Sequence, residues 1–220
     1  MTISHLITLA NGSGGTLYLM AILLLVALTV IIERSRYLLN MQQGGESLMT
    51  LLRSDPNLQA PASVSELKRL DGLPHTRVLR AIEAEPESAS REAVASHLEE
   101  ALMHEVPLLD RSLWMLDTVI TLAPLVGLFG TIVGMFHAFS VLGDVQDGAS
   151  QVTGGIAEAL VSTACGLFLA MLGLVFFNWL STRVRVIVHQ LETIKVMLVN
   201  RREGLEDAIN HGSVRMLARA

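Results

Sequence analysis

The stretch ALVSTACGLFLAMLGLVFFNWLST, Ala159–Thr182, lies between Glu158 and Arg183 and carries no charge of its own. A bilayer core needs about 20 mainly apolar residues in helical form, so this stretch predicts a transmembrane helix. Within it, Ala159, Thr163, Gly166, Ala170 and Gly173 recur at alternating steps of four and three, one helical face of small residues. The phase runs on through Phe177, Leu180, Val184, Ile187, Leu191, Ile194 and Leu198. Past Arg183 the stripe changes from small to large aliphatic residues. Small faces let helices approach closely in lipid, and a large aliphatic stripe is what a water-exposed helical seam requires. The spacing predicts one helix from about Gly155 to at least Leu198, roughly 65 Å long at the standard rise per residue.

Two further stretches complete the set. Thr118–Gly143, between Asp117 and Asp144, has His137 as its only titratable group, and Pro124, Gly127, Thr131, Gly134 and Ala138 repeat on one face of it. Its pattern extends backward through Ile120, Asp117, Leu113, Asp110 and Val106, with a kink expected at Pro107. The third run is TLYLMAILLLVALTVII, Thr16–Ile32, with no Lys or Arg before it and Glu33-Arg34-Ser35-Arg36 after it. That order of charges predicts an uncleaved anchor rather than a signal peptide.

The charges fix a topology. Nine Lys and Arg lie between Arg34 and Arg111 and seven between Arg183 and Arg219, which is all 16 of them. Positive charge gathers on the cytoplasmic side. The expected organisation is therefore an extracytoplasmic arm at 1–15, a first span at 16–39, a cytoplasmic helical segment at 40–110, a second span at 111–143, a short acidic extracytoplasmic hairpin at 144–153, a third span at 154–182 and a cytoplasmic helix at 183–220. Tyr18, Tyr37, Trp114 and Trp179 fall near the span ends, where amphipathic rings settle. In the cytoplasmic segment, Gly44-Gly45 and Asp55-Pro56 read as breakers, Ser63-x-x-Glu66 resembles a capping box, and Pro74 and Pro86 fall at or near helix starts.

Composition agrees. Of 220 residues, 51% are hydrophobic and 17% charged, against roughly 25% charged in soluble proteins. The single cysteine, Cys165, excludes a disulfide framework and a cysteine zinc site. The net charge of -5 gives no footprint for nucleic acid. The sequence holds no HExxH, GxSxG or P-loop. His97, Glu100 and His104 share a helix face, a triple that charged amphipathic helices produce by chance. No enzyme activity, cofactor or metal is expected.

Two assemblies fit the small stripes: pairing of the second and third spans inside one chain, or a ring of several chains. The long seam favours the ring, since one chain offers too few helices to bury it. Intramembrane polar groups are often functional, and Thr131, Thr163, Ser162, His137, Asn178 and Glu158 are the ones present. No Asp, Glu, Lys or Arg sits in mid-membrane. A device that moves protons needs a group that binds and releases them at depth, so here the carboxylate would come from another subunit.

APLVGLFGTIVGMFHAF (Ala123–Phe139) and GIAEALVSTACGL (Gly155–Leu167), with Asn178 beyond, resemble the second- and third-span signatures of the MotA/TolQ/ExbB proton channel family, and Ile31–Arg34 resembles the end of its first span. Three spans and a modest cytoplasmic segment favour the ExbB/TolQ branch. The chain departs from the family's pattern in having Gly154-Gly155 before Ile156 where members often have Pro-Gly, and Met171-Leu172-Gly173-Leu174 where members often have a proline. The resemblance implies an all-α polytopic membrane protein whose last two spans extend into the cytoplasm, assembled as a pentameric ring around the helices of an ExbD- or TolR-like single-span subunit that brings the titrating Asp. It implies use of proton-motive force, in the bacterial inner membrane, to drive a TonB- or TolA-like protein acting on the outer membrane. It assigns Thr131 and Thr163 to the pore lining and Glu158 to conduction. Ser162 and Asn178 join them as candidates for the proton pathway. Pro124, Gly127, Gly134, Ala138, Gly166, Ala170 and Gly173 are the candidates for packing a partner helix. A passive scaffold for a periplasmic partner and a stand-alone ion channel are the readings of other classes.

Overall fold

Leucine-rich runs broken by few prolines give long helices here. A computed structural model describes residues 15–55, 60–83, 86, 89–140 and 148–217, with the backbone alone described at 83, 148–151 and 202–217. The helices are α1 (Thr16–Ser54), α2 (Pro61–Arg69), α3 (Pro74–Glu83), α4 (Arg91–Asp110), α5 (Leu113–Ser140) and α6 (Gly148–Leu217), and no strand occurs among the described residues. Three stretches are long and apolar enough to cross a membrane, in α1, in Arg91–Ser140 and in Val152–Arg201. Of the expected acidic hairpin at 144–153, residues 144–147, with Asp144 and Asp147, lie outside the described residues, and 148–153 are not hairpin but the first turns of α6; almost all of the N-terminal arm also lies outside the described residues.

Three local expectations are corrected. Gly44-Gly45 does not break α1, which runs unbroken to Ser54. Both glycines are buried, and a Cβ on Gly44 would overlap the Leu73 side chain, on Gly45 the side chains of His75 and Gln190. They serve close approach, and the packing they permit offsets the roughly 1 kcal/mol that each costs a helix. Ser63 caps nothing: Ala60 is the N-cap of α2, Pro61 takes the first turn, and Ser63 is buried inside the helix. Proline suits that place because its fixed φ is helical and its missing N–H has no partner to lose. Glu66 pairs instead with Arg69 at 3.1 Å.

The third correction concerns Pro107. The helix continues past it to Asp110, and the interruption falls at Arg111-Ser112, where Ser112 adopts φ 75°. A proline in the last turn gives up one hydrogen bond, whereas a left-handed residue just past the C-cap ends the helix outright. Arg34 Nη2 donates to Ser112 Oγ at 3.2 Å, at this junction. Pro74 opens α3 as expected, and Ser90 caps α4 by accepting from Ala93 N–H at 3.2 Å, four residues beyond Pro86.

The chain divides into two compact units, one from the described residues of Met1–Ser35 and Ser112–Ser181, the other from those of Arg36–Arg111 and Thr182–Ala220. In the first, α1, α5 and α6 pack through Ala27, Val30, Leu116, Val119, Ala123 and Leu169, all buried. In the second, α3 packs on α4, and the predicted seam Val184, Ile187, Leu191, Ile194 and Leu198 is buried throughout, with at most 5% exposure. The expectation that one chain has too few helices to cover this seam therefore fails. The extension of α1 to Ser54 supplies the missing neighbour: Gln190 Nε2 donates to the Gln42 carbonyl at 3.3 Å, and Arg183 bonds the Gln42 side chain. On α4, Glu99 pairs with Lys195.

The single long helix read from the 3.5-residue spacing is present, starts seven residues earlier than expected, at Gly148, and runs past Leu198 to Leu217, 70 residues in all.

Candidate functional site in the paired small-residue helices

The first unit contains the candidate site, and glycine builds it. Without side chains, Gly127, Gly130 and Gly134 on α5 and Gly166 and Gly173 on α6 let the two backbones nearly touch. A Cβ on Gly166 would overlap the carbonyl oxygen of Ala123. One on Gly134 would stand 2.8 Å from Ala159 Cβ, and one on Gly155 2.8 Å from Ala138 Cβ. One on Gly127 would lie 3.0 Å from both the Ser162 carbonyl oxygen and Thr163 Cα, and one on Gly173 2.8 Å from Ile120. The contact spans the whole length of the pair. Such closeness maximises dispersion contacts, which is what holds helices together where no hydrophobic drive exists.

The small faces thus meet inside one chain, the first of the two assemblies considered from the sequence. Gly127, Gly134, Ala138, Gly166 and Gly173 are all buried in this pairing, while Pro124 and Ala170 stand half-buried at its margin. The buried face is also turned slightly from the sequence stripe. Ala123 and Gly130, which the stripe of α5 leaves out, are at its centre.

Three hydroxyls mark the pair. Thr163 Oγ1 donates across to the Gly127 carbonyl at 3.0 Å, so it ties α6 to α5 directly. Thr131 Oγ1 donates within its own helix to the Leu128 carbonyl at 2.6 Å and is half-buried. Ser162 is wholly buried and faces α1, where its Oγ lies 3.3 Å from Thr16 Oγ1. A Cβ on Gly130 would overlap that Ser162 hydroxyl. The structure therefore brings Thr163 and Ser162 into one polar joint across three helices. It does not join Asn178, which is exposed near the other end of the span, or Glu158, half-buried one turn before Ser162.

Outward from this joint the surface is large and apolar. Leu125, Phe129, Ile132 and Phe136 on α5, and Leu160, Phe168, Met171 and Val175 on α6, are each more than half exposed. That surface suits lipid or other helices. His137 is exposed, with its ring edge-on to Phe136 at 6.5 Å between centroids. Among the described residues no group of three His, Cys, Asp or Glu is placed to hold a metal ion.

The sequence reading missed Thr16, Ala123 and Gly130. Thr16 is the first residue of α1, and nothing in a hydrophobic run signals that its opening threonine meets a serine far along the chain. Gly130 carries a signal in hindsight, as the middle glycine of GLFGTIVG, but the strict four-and-three count passes over it.

Comparison with known proteins bears on the same segments. A family model described as the MotA/TolQ/ExbB proton channel family matches residues 71–193, which covers α3 to most of α6. An ExbB-like biopolymer transport protein of Synechocystis is 38% identical over 162 residues, 70% of this chain and 74% of that protein. The Tol-Pal system protein TolQ of Haemophilus influenzae is 31% identical over 174 residues, 74% of this chain and 76% of that protein. The biopolymer transport protein ExbB of Neisseria gonorrhoeae is 33% identical over 99 residues, 43% of this chain and 45% of that protein.

Proposed function

Because the chain belongs to the MotA/TolQ/ExbB proton channel family, as a multi-pass membrane protein of its ExbB/TolQ branch, we propose that it is the channel subunit of an inner-membrane motor. It has no enzyme activity of its own. It assembles as a homo-oligomer, a pentamer, around an ExbD- or TolR-like single-span subunit carrying a membrane Asp. The assembly draws on proton-motive force to energise a TonB- or TolA-like protein acting on the outer membrane. The N-terminus is periplasmic and the C-terminus cytoplasmic in this reading, which the distribution of Lys and Arg favours.

The observation that carries this reading is the combination of a polar joint with the lack of any mid-span carboxylate. Thr163 and Thr131 supply hydroxyls at depth, yet a threonine cannot bind and release a proton near neutral pH. A second, acidic helix completes the chemistry. Each proton crossing yields about 2.3 kcal/mol per 100 mV.

The hydroxyl geometry says which form of the partner acid is welcome. Both threonine protons are already committed to backbone carbonyls. Each oxygen keeps lone pairs, so each accepts from a protonated carboxylic acid. Donating to a carboxylate would require Thr163 to leave the Gly127 carbonyl. Neutral acid thus docks on either threonine without rearrangement, and ionised acid takes a proton donor from Thr163 only by loosening the α5–α6 pair. That difference couples protonation to helix movement.

One observation favours the second reading, a passive scaffold: the same committed hydroxyls are what purely structural threonines make. Proton flux into liposomes, with and without the single-span partner, separates the two. Flux that needs the partner and falls with Thr163→Val supports the channel. Flux indifferent to both leaves the scaffold.

A further inference from the structure

In the second unit, Gly45 of α1, His75 of α3 and Gln190 of α6 meet at one enclosed point. His75 is fully buried and Gln190 is 4% exposed. A Cβ on Gly45 would overlap both Gln190 Oε1 and His75 Nε2, so three helices close on a single polar spot. The amide nitrogen of Gln190 is used by the Gln42 carbonyl. Among the described residues, its Oε1 and both ring nitrogens of His75 lack a hydrogen bond of good geometry, although the Gln190 side chain is near enough to act on the ring. An unmatched buried polar group is costly, and an unpaired buried charge far more so. This point is therefore tolerable only while the imidazole is neutral.

Among the described residues the surroundings offer an imidazolium no free carboxylate, and only the Gln190 side chain acts in its favour. On α1, Glu46 is exposed and bonded to Gln42. On α3, Arg77 and Arg80 point outward and pair with Glu105 and Asp71. On α4, Glu105 is taken by Arg77 and Glu99 by Lys195 of α6. On α6, His189 and Glu192 are exposed. Burial lowers the His75 pKa to about 4, with the Gln190 side chain acting in the opposite sense.

We propose that His75 is an acid-released latch: taking up a proton expels its ring from the Gly45–Gln190 notch and frees α3 from α1 and α6. The hinge is at hand, since Gly72, two residues before α3, has φ 89° and open space around it. The sign follows from linkage. With its folded value depressed, the latched state is at full strength above the ordinary histidine value of 6.5 and weakens as pH falls toward 4. The opening equilibrium should rise about tenfold between pH 7.5 and pH 5.5. This goes beyond the proton-channel reading and does not depend on it, because the latch lies within the second unit and is read there.

The test is hydrogen exchange on the full chain in nanodiscs, corrected for the intrinsic pH dependence of amide exchange. Residues 74–83 should lose about tenfold protection from pH 7.5 to pH 5.5 in the wild type, and His75→Leu should abolish that dependence. Protection that ignores pH, or falls equally in His75→Leu, overturns the latch. Should the variant fail to fold, NMR titration of the wild-type His75 ring decides. A ring that stays neutral in the folded protein at pH 5.5 supports the latch, and one that titrates near 6.5 while buried overturns it.

Discussion

Thr163 donates its hydroxyl proton to the carbonyl oxygen of Gly127, 3.0 Å away on the neighbouring helix. A side chain at Gly127 would meet Thr163 Cα itself, so the bond exists only because the α5 position is bare. One glycine and one threonine, 36 positions apart, hold the two spans in register.

Thr163→Val keeps the shape and removes the donor. It should lower thermal stability in detergent by about 0.5–1.5 kcal/mol, the worth of one interhelical hydrogen bond. Thr131→Val should cost less, because its bond is local to one helix. Equal losses from the two would show that the cross-helix bond carries no special weight.

At Gly166 the predicted penalty is steric. Gly166→Val drives a branched side chain into the Ala123 carbonyl and should destabilise the protein by about 1–3 kcal/mol, the usual range for overpacking. Gly154 is the matched control on the same helix, with open space around it. Gly154→Ala should be neutral or stabilising by up to about 1 kcal/mol. The denaturation midpoint should fall for Gly166→Val and stay level or rise for Gly154→Ala.

In the second unit, Arg77 Nη1 reaches both oxygens of Glu105, at 3.1 and 3.0 Å. Glu105 is buried at 8% exposure, but the Arg77 side chain is half exposed, so solvent screens the pair. A double-mutant cycle with Arg77→Met and Glu105→Gln should return a coupling of about 1 kcal/mol. Arg77→Met alone should cost more than Glu105→Gln alone, since it strands a buried carboxylate.

Ser112 holds φ 75°, a conformation that costs a side-chain-bearing residue roughly 1–2 kcal/mol. Ser112→Gly relieves that strain and loses the Arg34 bond, worth about 1 kcal/mol, so it should be near neutral. Ser112→Ala keeps the strain and loses the bond, and should be the weaker of the two by about 1 kcal/mol. Melting temperatures measured side by side would check the order.

Much of the architecture was legible because a membrane span and a long helix are written in one dimension. Ala159–Thr182 shows its span by lacking charge, and the spacing from Ala159 to Leu198 shows a single helix. The errors cluster where a residue has more than one use. Gly44-Gly45 reads as a break because glycine usually loosens a helix, yet here it admits Leu73, His75 and Gln190. Pro107 reads as a kink, yet the chain turns five residues later, at Ser112. Ser162 and Thr163 are adjacent in sequence and about 100° apart around the helix, so one faces Thr16 and the other Gly127.

The sequence by itself determined the three apolar spans, the segregation of Lys and Arg into two segments of the chain, the extended last helix and the family. Each of these depends on composition, period or local motif, which act on residues near one another along the chain. Only the tertiary structure decided that the small faces meet each other within the chain, that the aliphatic seam is covered by the chain's own helices, and that Gly45, His75 and Gln190 converge. Those outcomes depend on helix azimuth and on which neighbour packs against a bare backbone. A rotation of one residue's worth changes both, and a periodic pattern of small side chains does not specify it.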